Sequence, residues 1–243
     1  MDFENVYEDD FRASEYARLE FPGTYYLAYR DLPEIISKHV NGTKALDFGC
    51  GAGRSTRFLK KLGFNAIGVD ISKRMIDQAQ KIDPEGVYRL IDDADLSSFN
   101  DGSFDLAQSI FTFDNIPTLE KKLNNLVSIK RALKPDGRFI NLVSSPEIYL
   151  HEWASFSTRD FPENRNAKSG DRVRIVMKDI SDKRPVEDIV WSDEAYRENY
   201  LQTGFEIIEI HKPLGKKDEP YEWITETEIA PWVIYVLKPN NPE

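Results

Sequence analysis

The sequence predicts an α/β fold built on a doubly wound, seven-stranded, mostly parallel β-sheet. It further predicts an antiparallel last strand and a β-hairpin cap inserted after strand five. Short apolar strand segments alternate with helix segments over the first 143 residues, as in a parallel sheet covered on both faces. After residue 144 this alternation gives way to a polar, irregular stretch. The last two strand segments are joined by a long polar connection, which favours an antiparallel pair.

Length and charge exclude several classes of protein. The 243 residues fit one α/β domain with an elaboration, and the net charge of −10 disfavours nucleic acid as a partner. The single cysteine excludes an intrachain disulfide. The first 20 residues lack the apolar core of a signal peptide, and no run approaches the ~20 apolar residues of a membrane span. We therefore expect a cytoplasmic protein with no membrane partner, either a monomer or a homodimer.

The elements of the first half follow from their end signals. Residues 1–40 are predicted to form an N-terminal lid and helix, because 24–40 carry apolar residues at helical spacing and Pro33 marks a start or kink. Residues 41–143 are predicted to form the cofactor-binding core. Its strands are expected at 44–48, 65–69, 87–91, 104–110 and 138–143. Its helices are expected at 54–62, 73–81 and 119–133, with Ser72 as a cap and a turn at 134–137.

The second half divides into a cap and a return to the sheet. Residues 144–191 are predicted to form the cap, because apolar and charged residues alternate over 173–177 and a turn at 181–183 can reverse the chain into 185–191. Residues 192–243 are predicted to complete the core sheet. Their elements are a helix over 192–202 that begins at a serine cap, and strands over 205–210 and 232–237.

The strongest chemical signal is a glycine-rich turn between the first strand and the helix that follows it. Gly49, Gly51 and Gly53 let the backbone approach a ligand closely, and the helix start offers free N–H groups to an anionic end. Asp70 ends the next strand, where a carboxylate can accept both hydroxyls of a ribose. Asp93 follows the third strand, where a carboxylate can accept from an adenine amine. Parallel strands end at one edge of the sheet, which predicts a single ligand site there.

A nicotinamide-dependent oxidoreductase shares much of this pattern. Two details disfavour it. The third glycine of the dinucleotide fingerprint would fall on Arg54. Asp47, at the end of the first strand, has no role in binding a pyrophosphate, whereas it suits a ligand with a cationic amine.

Five ordered segments together resemble the class I S-adenosylmethionine-dependent methyltransferases, over about residues 40–143. The segments are ALDFGCGAGRST (45–56), which resembles motif I, GVDIS (68–72), DADLSSF (93–99), DGSFDLAQS (101–109) and LKPDGRFI (133–140). The resemblance implies a Rossmann-like fold, with S-adenosyl-L-methionine as cofactor and S-adenosyl-L-homocysteine as product. Segments at 170–180, 191–210 and 230–239 are loosely similar to small-molecule methyltransferases of the toxoflavin-biosynthesis type.

The resemblance also implies a set of cofactor-binding residues. Asp47 would lie near the methionine amine, Asp70 would hold the ribose hydroxyls, and Tyr16 is expected to reach the methionyl carboxylate. The residues expected around the methionine part are Tyr16, Asp47, Gly49, Cys50, Gly51, Gly53 and Ser109. Those expected around the ribose and the adenine are Asp70, Ile71, Asp93 and Ala94.

The acceptor is less well defined by the sequence. The segment 109–112 is SIFT, not the Asn/Asp-Pro-Pro-Tyr type of motif that relatives acting on amines of nucleic acid bases carry. We therefore expect a small-molecule acceptor, at O, N or C, and in-line displacement driven mainly by positioning. A protein or tRNA methyltransferase and a non-catalytic cofactor-binding protein remain alternatives.

No residue is clearly a base in this sequence, and no metal site is expected. The candidate catalytic residues are His151 in the cap and Asp114 just past strand four. Aromatic residues of the N-terminal segment, of the segment after strand four and of the cap are expected to line the acceptor site, and the N-terminal segment fits a lid that orders on cofactor binding. The residues are Tyr7, Phe11, Tyr26, Phe113, Tyr149, Trp153 and Trp191.

Overall fold

The computed structural model describes residues 9–93 and 95–240. Its strands are β1 (Lys44–Phe48), β2 (Asn65–Asp70), β3 (Val87–Leu90), β4 (Phe104–Ile110), β5 (Leu133–Ser144), β6 (Phe156–Ser157), β7 (Arg172–Met177), β8 (Val186–Ile189), β9 (Phe205–His211) and β10 (Trp232–Pro239). Its helices are α1 (Asp10–Ala17), α2 (Thr24–Arg30), α3 (Leu32–His39), α4 (Arg54–Lys61), α5 (Lys73–Ile82), α6 (Leu119–Ala132) and α7 (Asp193–Gln202).

The main sheet has seven strands in the order β3-β2-β1-β4-β5-β10-β9. The first five are parallel to one another, and β10 runs antiparallel to both β5 and β9. The predicted doubly wound, mostly parallel sheet with an antiparallel last strand is therefore confirmed. The strand order reverses between β1 and β4, and ligands of open α/β sheets bind at the carboxyl ends of the strands beside such a reversal.

Apolar side chains cover both faces of the sheet. One face packs against α2, α3 and the cap, and the other packs against α6 and α7. The central strand β4 is buried along its whole length, as expected for a strand covered on both faces. Because burial fixes the position of this strand, the residues that follow its carboxyl end lie at the edge of the sheet where a ligand can bind.

The local signals account for most of the helix ends. Ser72 and Ser192 accept hydrogen bonds from the first turns of α5 and α7, as predicted for serine caps. The segment 24–40 forms two helices rather than one, and Pro33 lies in the first turn of the second, where it has no need of an N–H partner. Residues 134–137 belong to β5 as an irregularity in its pairing with β4, rather than to a free turn.

The cap is a three-stranded antiparallel sheet in the order β6-β7-β8, which confirms the predicted hairpin. Helix α1 is fastened to the turn of this hairpin by a buried ion pair. Nε of Arg12 lies 2.9 Å from Oδ2 of Asp182, and the same guanidinium donates to the carbonyls of Arg184 and Pro185. The N-terminal helix and the cap are therefore linked above the edge of the main sheet. Among the helices of residues 9–93 and 95–240, none has the length and apolarity needed to cross a membrane.

Candidate functional site

The glycine-rich turn between β1 and α4 is shaped for close approach to a ligand. Gly49, Gly51 and Gly53 have φ angles of 72°, 51° and 81°, in the left-handed region that favours glycine. A Cβ atom at Gly49 would collide with the side chain of Thr112, and one at Gly53 would lie 2.7 Å from the Tyr88 hydroxyl oxygen. A Cβ at Gly51 would meet only a methyl group 3.9 Å away. Gly51 thus faces open space, and this space is where a ligand can be held.

Asp70, at the end of β2, stabilises this turn and borders the same space. Its Oδ2 accepts from the Gly51 N–H at 2.8 Å, and its Oδ1 accepts from the Ser72 N–H at 2.8 Å. Ile71 is 54% exposed, so it offers an apolar surface to a flat ring. The adjoining cavity, called here the donor cavity, has a volume of about 230 Å³. Of the predicted cofactor-binding residues, those that line it are Tyr16, Gly49, Gly51, Asp70 and Ile71.

Another predicted cofactor-binding residue, Asp47, lies beneath the turn. Asp47 is fully buried, and its Oδ2 accepts from the hydroxyls of Ser55 and Thr56 at 2.6 Å each. Burial raises the pKa of Asp47 to about 6. These bonds join the end of β1 to the first turn of α4, so Asp47 supports the turn from below. Its contact with a methionine amine stays a prediction.

Four further predicted residues, Gly53 among them, also lie outside the lining of the donor cavity. Cys50 is buried and points into the apolar cluster of Ile76 and Ala79, where burial raises the pKa of its thiol. Ser109 is fully buried, and its hydroxyl has no hydrogen-bond partner within the described residues. Asp93 pairs with Lys121, whose Nζ lies 2.7 Å from the carboxylate; Lys121 itself borders the donor cavity. Ala94 lies outside the described residues.

A second, smaller cavity of about 50 Å³ adjoins the first and extends under the cap. The two cavities share Tyr16, Phe111 and Asn115 as lining residues. The second cavity, called here the acceptor chamber, is bounded mainly by apolar and aromatic side chains. These are Tyr25, Phe111, Ile148, Tyr149, Phe156, Ile175, Met177, Val186 and Trp232. Its polar boundary consists of Asp114, Ser144 and Asp188, beside the shared Tyr16 and Asn115.

Phe111 lies at the junction of the two cavities. Its φ of 64° is the one positive φ of a non-glycine residue among the described residues, and such strain is frequent at functional sites. The Phe111 ring centroid lies 4.6 Å from that of Trp232 and 5.9 Å from that of Tyr25. The sequence analysis did not single out Phe111, because backbone strain has no signature in a single sequence.

Three ionisable side chains are buried together beside the acceptor chamber, and one of them, Asp114, directly precedes the shared residue Asn115. Asp114 accepts from the Ser144 N–H at 3.0 Å, and Asp188 accepts from the Tyr149 hydroxyl at 3.0 Å. The ammonium group of Lys122 is fully buried and donates to the Phe113 carbonyl. Burial raises the pKa values of both carboxyl groups and lowers that of the lysine. Of these three residues, the sequence analysis proposed only Asp114.

The other predicted acceptor-site residues are dispersed. Tyr149 lines the acceptor chamber. Trp153 is fully buried and donates to the Ile148 carbonyl, so it supports the chamber from behind. Four other residues lie outside the linings of both cavities. Phe113 is packed between Phe48 and Phe139, and Trp191 lies against Lys122. Tyr26 packs on Tyr221, and Phe11 is largely exposed. His151 is partly exposed and hydrogen-bonded to Glu147. Tyr7 lies outside the described residues.

Arg54 fastens the N-terminal segment over the glycine-rich turn. Its guanidinium lies over the rings of Tyr16, Phe21, Tyr25 and Tyr29, at 5.2–5.9 Å from their centroids. It donates to the carbonyls of Leu19 and Glu20. Tyr16 is held in this way at the wall that the two cavities share. Within residues 9–93 and 95–240, no group of three His, Cys, Asp or Glu residues is arranged to hold a metal ion.

The family model and the relatives that this chain resembles in sequence are described as methyltransferases. Residues 46–141 match the family model described as a methyltransferase domain. The chain is 38% identical over 172 residues to a 2-methyl-6-phytyl-1,4-hydroquinone methyltransferase of Synechocystis sp., covering 67% of this chain and 46% of that protein. It is 30% identical over 125 residues to a ubiquinone biosynthesis O-methyltransferase of Methylococcus capsulatus, covering 48% and 52%.

An 18S rRNA (guanine-N(7))-methyltransferase of Dictyostelium discoideum is also similar, at 37% identity over 90 residues, covering 37% of this chain and 31% of that protein. The chain thus spans about half of the length of the first two relatives and about a third of this one.

Solved structures share the fold over nearly the whole chain. A protein of Pyrococcus horikoshii OT3 is 20% identical and superposes with a TM-score of 0.64, covering 98% of this chain and 100% of its own. An S-adenosylmethionine-dependent methyltransferase of Clostridium acetobutylicum is 14% identical, with a TM-score of 0.62, covering 93% and 94%. At these identities the likeness concerns the fold alone.

Proposed function

We propose that the protein is a class I S-adenosylmethionine-dependent methyltransferase and that it methylates a small-molecule acceptor by in-line displacement; its residues 46–141 match the family model described as a methyltransferase domain. The observation that carries the proposal is the pair of adjoining cavities with Tyr16, Phe111 and Asn115 in common. Direct transfer requires donor and acceptor to meet in one line at a shared boundary, and holding them there supplies much of the rate enhancement.

The donor cavity supports a fit to the cofactor. When bound, S-adenosylmethionine supplies an activated methyl group on its sulfonium. Gly51 leaves room for the methionine part, and the Asp70 carboxylate lies where ribose hydroxyls can donate to it. Ile71 offers its exposed apolar side chain to the adenine. Tyr16 borders both cavities, so its hydroxyl is suited to the methionyl carboxylate that the sequence analysis assigned to it.

The acceptor chamber supports a small, largely apolar molecule as acceptor. It lies beneath the cap, and its aromatic walls suit a flat ring better than a polymer strand. Two relatives are named for reactions on quinone-type small molecules, which agrees with this chemistry. We propose that the units predicted from the sequence act together: the core (41–143) holds the cofactor, the lid (1–40) and cap (144–191) close over it, and residues 192–243 complete the sheet.

An RNA acceptor is the alternative that the Dictyostelium relative raises. The net charge of −10 opposes binding to a phosphate backbone. Incubating the protein with methyl-labelled S-adenosylmethionine and total RNA is expected to leave the RNA unlabelled. Label in the RNA at a rate above that of small phenols would favour the alternative.

Replacing Asp70 by alanine is expected to weaken binding of S-adenosylhomocysteine by about 1–3 kcal/mol, because charge-assisted hydrogen bonds to the ribose are lost. The substitution also removes the acceptor of the Gly51 and Ser72 N–H groups, so the turn itself loosens. Isothermal titration calorimetry measures the effect. Asp77→Ala is the matched control, since Asp77 is an exposed aspartate of α5 that pairs with Lys73.

The same titration separates the proposed function from its competitor. Wild-type protein is expected to bind S-adenosylhomocysteine and not NAD. Tight binding of NAD alone would contradict the proposed function, and equal affinity of the wild type and Asp70→Ala would show that the ribose lies elsewhere.

A further inference from the structure

The polar boundary of the acceptor chamber indicates which chemical group of the acceptor receives the methyl group. We propose that the acceptor is a small phenol and that Asp188, in strand β8 of the cap, takes the proton of its hydroxyl during methyl transfer. The inference rests on the proposed function and deepens it. Asp188 was not among the residues that the sequence analysis singled out.

The hydrogen bonding of Asp188 leaves one carboxylate oxygen for a ligand. Oδ2 accepts from the Tyr149 hydroxyl at 3.0 Å, whereas Oδ1 has no hydrogen bond within the part of the chain that the structure describes. Asp188 nonetheless borders the chamber and is only 9% exposed. Since Asp188 lines the chamber, a ligand there that brings a hydroxyl hydrogen can donate to this oxygen.

The walls of the chamber select the rest of the ligand. The ring of Trp232 packs against those of Tyr25, Phe111 and Phe156, with centroid distances of 4.6–6.1 Å. Ile175 and Met177 of β7 complete an apolar lining. An aromatic ring is well matched to such walls, and a ring that carries a hydroxyl at the Asp188 end satisfies both halves of the chamber.

The charged groups around Asp188 adjust its basicity. Asp114 after β4 and Lys122 of α6 are the charged groups that act on it, and Tyr149 donates to it. On its own strand, the neighbouring Glu187 is half-exposed and pairs with Arg172 of β7, while the β7 residue opposite Asp188 is the uncharged Val173. One buried ammonium thus serves two carboxyl groups. Burial and the Asp114 charge raise the pKa of Asp188 to about 8, near the range where a base exchanges protons most effectively.

The proposed step balances in atoms and charge. The phenol oxygen forms a bond to the methyl carbon while the carbon–sulfur bond breaks, and the electron pair of that bond goes to the sulfur. The hydroxyl proton goes to Oδ1 of Asp188. The products are an aryl methyl ether, a neutral thioether and the protonated Asp188, which returns its proton to solvent when the chamber opens.

The test uses 4-methylphenol as the probe, with the full chain saturated with S-adenosylhomocysteine. Calorimetry is expected to show binding to the wild type that strengthens from about pH 6 to about pH 9, as Asp188 ionises and its hydrogen bond to the phenol becomes charge-assisted. Asp188→Asn is expected to weaken binding about 10- to 100-fold at the higher pH and to abolish the pH dependence. Asp188→Glu, which keeps a carboxylate, is expected to restore part of the affinity and part of its pH dependence. Glu187→Gln, on the same strand but outside the chamber, is the matched control and leaves binding unchanged.

Methyl transfer to 4-methylphenol is the second readout. The rate for Asp188→Asn is expected to fall about 10²- to 10⁴-fold, the range typical of losing a general base, with KM rising far less. The wild-type pH profile needs no variant, so the test holds even if Asp188→Asn folds poorly. Absence of methyl ether formation by the wild type, or a pH-independent affinity for the probe, would overturn the inference.

Failure of the inference is distinguishable from failure of the proposed function. If S-adenosylhomocysteine binds the wild type and Asp188→Asn equally while 4-methylphenol does not respond to Asp188, only the inference fails. If S-adenosylhomocysteine does not bind the wild type at all, both the proposed function and the inference fail.

Discussion

Replacing Lys122 by methionine is expected to destabilise the protein by about 3–5 kcal/mol near pH 7 and by much less near pH 5. Lys122 is fully buried, donates to the Phe113 carbonyl, and lies 5.1 Å and 5.4 Å from the ring centroids of Trp191 and Tyr196. Its ammonium is the charge that attracts the buried carboxyl groups of Asp114 and Asp188. Methionine fills a similar volume, so the expected loss is mainly electrostatic.

The pH dependence follows from the direction of the pKa shifts. Burial raises the pKa values of Asp114 and Asp188 above those of the unfolded chain. The stability contributed by such a group is fully present below its unfolded pKa and is lost as pH rises through its folded pKa. Without Lys122 the folded pKa values rise further. The loss therefore grows as pH rises towards 7, and it levels off above that because burial lowers the pKa of Lys122 to about 7, so the wild type loses its ammonium too. At low pH both carboxyl groups are neutral, and removing the lysine costs little.

Urea unfolding of the wild type and Lys122→Met at about pH 5 and about pH 7 measures this difference. Lys121→Met is the matched control for stability, because Lys121 is half-exposed and forms a surface ion pair with Asp93, which contributes little to stability. Adding Asp114→Asn to Lys122→Met is expected to recover part of the loss near pH 7. An equal loss at both pH values would mean that packing, not charge, gives Lys122 its effect.

Replacing Arg54 by alanine is expected to cost about 3 kcal/mol of folding free energy. The side chain is buried among four aromatic rings. Its guanidinium donates to the Glu20 carbonyl at 2.7 Å and the Leu19 carbonyl at 3.3 Å. Alanine leaves a cavity between those rings and two carbonyl groups without their donor. Affinity for S-adenosylhomocysteine is expected to fall as well, because Tyr16 loses its anchor at the wall of the donor cavity.

Denaturant unfolding and calorimetry measure the two effects of Arg54→Ala separately. Lys61→Ala, an exposed position in the same helix, is the control and is expected to change stability by less than about 0.5 kcal/mol. Arg54→Lys tests the geometry, since lysine keeps the charge but lacks the planar fork that donates to two carbonyls. A stability loss below about 1 kcal/mol for Arg54→Ala would show that the aromatic rings close over the gap unaided.

The fold was predictable because its signals are local. Strand β4 is a short apolar run between turn residues, and the helices α5 and α7 begin at serine caps. The order of these elements along the chain was enough to predict the mostly parallel sheet and the hairpin cap. A longer-range effect accounts for the main difference, at 134–137, where pairing with β4 draws a predicted turn into β5.

The candidate site likewise has a part that the sequence predicts and a part that depends on tertiary packing. The glycine-rich turn and Asp70 were predictable because short motifs specify the backbone of a strand-to-helix turn. The structure lines the donor cavity with Gly49, Gly51 and Asp70, while it buries Asp47 beneath them, bonded to the start of α4. Only side-chain packing decides which way the Asp47 carboxylate points.

By itself the sequence determined the α/β sheet, the cofactor class and the edge of the sheet that carries the candidate ligand site, because periodicity and turn chemistry act between residues close in the chain. Only the tertiary structure decided the character of the acceptor chamber. Asp114, Lys122, Tyr149 and Asp188 come from four separate elements, and their charges interact only because the cap folds over the sheet. Burial is what changes their ionisation, and burial is a property of the whole fold rather than of any segment.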